Sequence, residues 1–402
     1  MRYSLSVTKA LSNGEKAIDY RFKILYALGM IFIVAGHCRN GGISLAYEWF
    51  PPYAFHLGLF VFASGYFYSY ASEEHPYKYI LKKIKSLLIP LYLWNFFYAI
   101  FITFLRFYNF DISESVPVSF KSLFLLPITN GHQFMFNMGG WFVIPLFIIQ
   151  VFNVLARSLL SRIKFKTNEW VWFFINMLIG IGGVWLASQG YNEGLWLVLV
   201  RVLYFVPFYA LGTLYRQKLE KKDKCPNLPY FAIIFIIQLA IITIYKRAPY
   251  YIPSWCKTFT DGPLLPFVVG FLGIAFWLRV SAVLTPTLKN SKAVMLIANN
   301  TFSIMINQFL GFWLVNVGFW ALNKVFSLTS PVFDHAAFKT SVWFRYLPND
   351  MNHWLIIYLA AGIIVPIVMQ VCFLDKAKKY ILIFFNRVRE KVIKNKKVQS
   401  DI

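Results

Sequence analysis

The chain has 402 residues, of which 58% are hydrophobic and only 14% charged. That excludes an ordinary soluble domain and points to a polytopic membrane protein, where each crossing helix needs roughly 20 mostly apolar residues. A net charge of +23 would suggest nucleic-acid binding in a soluble chain, so where that charge lies has to be settled before a function class is drawn.

In chain order, the first twenty residues are polar and basic (Lys9, Lys16, Asp19) and read as a cytoplasmic segment over 1–21, with no cleavable signal peptide. Apolar runs predict an all-α polytopic domain over 22–373, with spans near 22–37, 53–72, 87–107, 140–157, 170–189, 195–215, 230–246, 263–282, 294–320 and 353–373. The stretch 374–402 is basic and amphipathic, expected to lie on the membrane surface. If the N-terminus is cytoplasmic, 30 of the 40 Lys and Arg residues fall on inner segments and 9 on outer ones, with Arg201 inside a span. This asymmetry follows the positive-inside rule and predicts both termini in the cytoplasm. The basic balance is then topology and contact with anionic lipid, and no nucleic-acid partner is expected.

Several residues carry chemical interest. His37 closes the first apolar run and His56 opens the second, across a loop holding Gly41-Gly42, Glu48 and Pro51-Pro52. Ser64-Gly65 lies two turns further on, read as close helix packing or as substrate contact. Lys78, Lys82, Lys83 and Lys85 precede Pro90 and read equally as an interfacial snorkelling cluster or as a dock for a phosphorylated donor. Trp141 follows two glycines and suits an interfacial anchor. Arg201 lies about two turns into a span, where an arginine is expensive and marks a functional hypothesis, with a structural ion pair as the alternative. The four cysteines show no paired spacing and read as small core hydrophobes; no metal site is expected.

Taken together, the hairpin IFIVAGH…FHLGLFVFASGYFY resembles the membrane acyltransferase 3 family, whose first helix ends in histidine and whose second ends in a Phe-rich Ser-Gly-Phe/Tyr motif. Lys82, Lys85 and Pro90 resemble its basic-x-x-basic run before Leu-x-Pro, and Trp141-Phe142 its Trp-Phe-Leu motif. Phe208–Gly212 resembles its Phe-x-x-Gly stretch, and Thr301–Ile304 its late helix. Two positions depart: Tyr26 stands where the family usually has a basic residue, eleven positions before the histidine, and Gln308 where a histidine is common.

The resemblance implies O-acyl transfer, most often of acetyl, from cytoplasmic acyl-CoA to a hydroxyl of an extracytoplasmic polysaccharide or lipid-linked sugar, in a multi-pass protein of the cytoplasmic membrane. The donor is a substrate, and no permanently bound cofactor is implied. Such chemistry needs a general base and something to stabilise an oxyanion. His37 is the first candidate for the base and His56 the second, with Arg201 as the electrostatic group. Lys82, Lys85 and Tyr26 are the donor-side candidates, and Glu48, Trp141 and Ser64 the acceptor-side ones. The expected donor path climbs from the lysines past Arg201 to His37. The alternative functions are export of a polysaccharide or small molecule, or glycan polymerisation.

Overall fold

The computed structural model describes residues 18–39, 49–112, 115–164, 167–326 and 332–376. Within them every regular element is helical. We label the long elements α1 (Tyr20–His37), α2 (His56–Tyr66), α3 (Pro76–Phe107), α4 (Met138–Arg162), α5 (Glu169–Ser188), α6 (Gly194–Lys222), α7 (Asn227–Tyr245), α8 (Leu265–Leu288), α9 (Lys292–Asn299), α10 (Thr301–Phe326) and α11 (Asn352–Cys372). Glu48 and the basic stretch beyond 376 lie outside the described residues.

Eight of these helices are long and apolar enough to cross a bilayer. Two of the ten expected runs are not among these eight: 22–37, which forms the 18-residue α1 with Arg21 and Lys23 in its first turn, and 53–72. The run 53–72 forms α2, an α-helix of only 11 residues. At 1.5 Å per residue it rises about 16 Å, roughly half a hydrocarbon core. Its ends are turned by 3-10 segments at Pro52–Ala54 and Tyr70–Glu73. The predicted span 294–320 divides at Asn300 into the short α9 and the long α10.

Two prolines follow directly on a widened turn. A π-turn at Ile84–Leu88 precedes Pro90 within α3, and another at Lys121–Leu125 precedes Pro127. The extra residue makes room for a ring that lacks an N–H and crowds the preceding carbonyl. The lysine run is therefore the first turns of one continuous 32-residue helix.

Without water to exclude between helices, packing depends on close backbone approach. The helix α2 lies against α6 through an interlocked glycine pair. A Cβ on Gly65 would fall 2.0 Å from the Tyr209 carbonyl oxygen, and one on Gly212 would fall 2.0 Å from that of Phe62. Around these pairs the outward side chains are apolar: Ile100, Phe104, Leu178, Ile236, Ile244 and Ile364 are all exposed, as a lipid-facing surface requires.

The interior holds two buried apolar clusters. One is built mainly from α2, α4, α6 and α8 with Phe22, Leu25 and Phe32 of α1; the other from α3, α10, α11 and their loops with Met30, Ile33 and Val34 of α1. Leu57, Phe60, Ile148 and Met305 pack against both clusters while staying partly exposed. They mark a seam. On α2 the partly exposed positions are Leu57, Phe60 and Ser64, a stripe at helical spacing that faces this seam.

Candidate functional site

At one end of the bundle α1 finishes at His37, and the chain re-enters through Pro52–Ala54 into α2. Tyr53 ties the two together. Its hydroxyl donates to the Gly36 carbonyl at 3.0 Å, and its ring stands edge-on to both His37 (6.5 Å between centroids) and His56 (5.2 Å). His56 is buried, with Nδ1 against the Pro52 carbonyl oxygen. His37 Nδ1 meets Gln308 Oε1 of α10 at 3.2 Å, and Phe309 and Trp343 flank the ring.

A third histidine joins from the loop before α4. The helix Leu126–Thr129 ends on Gly131, whose φ of +82° is left-handed. A Cβ there would fall 2.4 Å from Trp141 Cβ, so both conformation and space require glycine. The turn aims the Asn130 side chain at His132, whose N–H and Nδ1 lie 3.0 and 2.9 Å from Asn130 Oδ1. His132 stacks on Trp255 at 4.4 Å. Burial, with the nearby Arg201 guanidinium and His37 adding to it, pushes the His132 imidazole down to about 3, so it is neutral at physiological pH.

Two arginines border the three imidazoles. Arg201 of α6 is 1% exposed. It donates to the Asn130 carbonyl at 3.0 Å and to that of Ser254, lies 4.6 Å over the Trp141 ring, and leaves Nε without a partner. Arg345, in the loop before α11, donates to the carbonyls of Val342 and Phe344 and, at 3.3 Å, to that of His37. Its guanidinium lies 4.4 Å over Phe312, and burial pushes it down to about 10, still charged at neutral pH. Among the described residues neither arginine has a carboxylate within ion-pair distance. Three of the acidic groups at this end pair at the rim, as Arg247–Asp261, Lys257–Glu193 and Arg106–Asp111.

The other predicted residues fall into two groups. Tyr26 is eleven residues below His37 on α1, about 16 Å along the helix, and stacks on Phe60 of the seam at 5.6 Å. Ser64 continues the same seam towards the lysine end. Lys82 and Lys85 are exposed at that end and, with Lys78, Leu81 and Ser86, line an open cavity of about 530 Å³. Lys83 turns inward instead, 5.1 Å over Tyr79. Trp141 is buried beneath the Arg201 guanidinium and packed on Phe205, so its faces are already covered. Nor does Arg201 lie between the lysines and His37. Both its carbonyl partners belong to loops at the histidine end.

Sequence reasoning left Tyr53, His132 and Arg345 out of the site. The Asn-Gly pair before His132 was a readable turn signal. Nothing local marks Arg345, which reaches His37 across 308 positions.

The family model described as an acyltransferase domain, of the acyltransferase 3 group, matches residues 19–371. The chain belongs to the acyltransferase 3 family. It is a multi-pass membrane protein. A second similarity, 28% identity over 164 residues, is to NADH-quinone oxidoreductase subunit M of Buchnera aphidicola subsp. Schizaphis graminum (strain Sg). It covers 40% of this chain and 32% of that protein, so the chain spans about a third of the length of that relative. No solved structure matches.

Proposed function

We propose that the acyltransferase moves an acyl group, acetyl being the simplest, from a cytoplasmic acyl-CoA to a hydroxyl of an extracytoplasmic polysaccharide or lipid-linked sugar, with His37 as general base. The observation that carries this reading is the cluster at the histidine end. Three imidazoles and two guanidiniums meet there without a described carboxylate to neutralise them. A positive, water-poor site favours an alkoxide-like oxygen and a tetrahedral oxyanion over their neutral precursors.

In the proposed step the acceptor oxygen attacks the thioester carbonyl while the imidazole of His37 takes the hydroxyl proton. A C–O bond forms. The C–S bond then breaks, and the leaving thiolate recovers the proton from the imidazolium, so no net charge is produced. Arg345, bonded to the His37 carbonyl, and Arg201, behind His132, supply the field that stabilises the oxyanion. His56 is held beside His37 through Tyr53 and is the second candidate for the base.

The donor has to reach this cluster from the lysine end. Lys82 and Lys85 are suited to a phosphorylated donor because they are exposed point charges beside an open cavity. From there the partly exposed line Ser64, Phe60, Tyr26 and Leu57 offers an apolar track for a slender acyl-bearing arm.

His37→Ala tests the reading. Proton NMR of surface glycan from variant cells is expected to show loss of the ester-linked acyl signal, a fall in transfer of about 100-fold or more, with the protein still in the membrane. Full acylation by the variant would remove His37 from the role. Loss of the glycan itself, and not of its ester, would mark export or polymerisation.

A further inference from the structure

We infer that Gln308 is the positioning residue that holds His37 in its Nδ1–H tautomer and leaves Nε2 as the atom that accepts the proton; this rests on the reading of His37 as base. Gln308 is 0% exposed on α10. Its Nε2 donates to the Met305 carbonyl at 3.1 Å, and its Oε1 lies 3.2 Å from His37 Nδ1. The two contacts fix each other. Turning the amide over would set Oε1 against the Met305 carbonyl, two acceptors with no hydrogen between them. With Oε1 towards the histidine, Nδ1 has to be the donor, because an amide oxygen only accepts. A neutral imidazole carries one N–H, so Nε2 is bare.

The choice of an amide matters as much as its orientation. Among the described residues the groups facing His37 are the Ile33 carbonyl of its own helix, Tyr53 before α2, Phe309 of α10, Trp343 and Arg345 of the loop before α11, and, within electrostatic range, His56 and His132. None is anionic at neutral pH. A carboxylate at position 308 would orient the ring equally well but would also stabilise the imidazolium, making the ring a stronger and more often protonated base. Gln308 orients the ring without adding charge. His132 shows the same arrangement, its Nδ1 held by the Asn130 amide oxygen.

The first arm of the test reads the imidazole directly and needs no acceptor. Full-length protein in detergent micelles is treated with diethyl pyrocarbonate, which attacks neutral imidazole, from about pH 5 to about pH 9. The rate at the His37 peptide is followed by mass spectrometry. Gln308→Glu is expected to raise the labelling midpoint by about one pH unit or more. Gln308→Asn keeps the amide but sets it one methylene back; it is expected to cut the initial rate of glycan ester formation about tenfold at normal abundance. An unmoved midpoint in Gln308→Glu, or a wild-type rate in Gln308→Asn, overturns the inference. The parent reading fails separately: if His37→Ala cells acylate normally, His37 is not the base, whatever the labelling reports about Gln308.

Discussion

The two ends of the bundle treat buried arginine in opposite ways. At the lysine end each buried guanidinium has a carboxylate. Arg157 of α4 forms a two-pronged pair with Glu169 of α5, both contacts 2.8 Å, and is enclosed by Trp172, Tyr70 and Tyr68. Arg21 joins Asp19 and Glu220, and Arg279 joins Asp223. At the histidine end, among the described residues, Arg201 and Arg345 hold carbonyl oxygens and aromatic faces and no carboxylate. A paired charge fastens helices and leaves little net field. An unpaired one keeps its field, at a desolvation cost that a folded chain retains where the field has a use. The contrast separates rivets from a site within one residue type.

The sharpest way to break this comparison is to replace each kind of arginine with methionine. Arg157→Met strands Glu169 in a buried position and is expected to cost about 3–5 kcal/mol, read as a lower melting temperature in detergent. Arg201→Met is expected to cost no more than about 2 kcal/mol, since losing a desolvated charge offsets the two carbonyls left without a donor. Its acylation rate should nevertheless fall about 100-fold. Equal losses of stability in the two variants would erase the distinction.

The α2–α6 contact joins the two ends and gives the next effect in size. Gly212→Ala places a methyl against the Phe62 carbonyl and is expected to destabilise by about 3 kcal/mol, with activity lost as α2 is pushed away from α6. A variant that melts like wild type would mean the helices can separate without cost.

A smaller effect concerns pH. His132 titrates near 3 when folded, against about 6.5 unfolded, so between those values the unfolded chain binds more protons and stability rises with pH. The contribution is complete above the unfolded value and is lost as pH falls from there towards 3. Melting temperatures measured at about pH 7.5 and about pH 5.5 should therefore lie closer together in His132→Gln than in wild type. An unchanged gap would place the acid sensitivity on other groups.

The smallest effect on stability is expected at the exposed lysines. Lys82→Ala with Lys85→Ala should shift stability by less than about 0.5 kcal/mol while raising the apparent KM for acetyl-CoA several-fold. An unchanged KM would return these residues to the role of interfacial anchors.

How much of this was legible follows from which interactions are local. Apolar runs made the helical class readable, because satisfying backbone hydrogen bonds in lipid leaves helices as the solution for a chain of this pattern. His37 and His56 stood out because they flank one loop, and Arg201 because a charge inside an apolar run is conspicuous without any fold. By contrast, the half-length of α2 depended on bends at Pro52 and Tyr70 that hydropathy does not register. Arg345 and Gln308 reach His37 only because α10 and the loop before α11 fold back on α1, across 308 and 271 positions. Composition and spacing therefore determined the membrane class, the family pattern and the histidine at its centre. Tertiary structure decided which neighbours surround that histidine and which arginines remain unpaired, since both depend on contacts between helices that no single stretch of sequence contains.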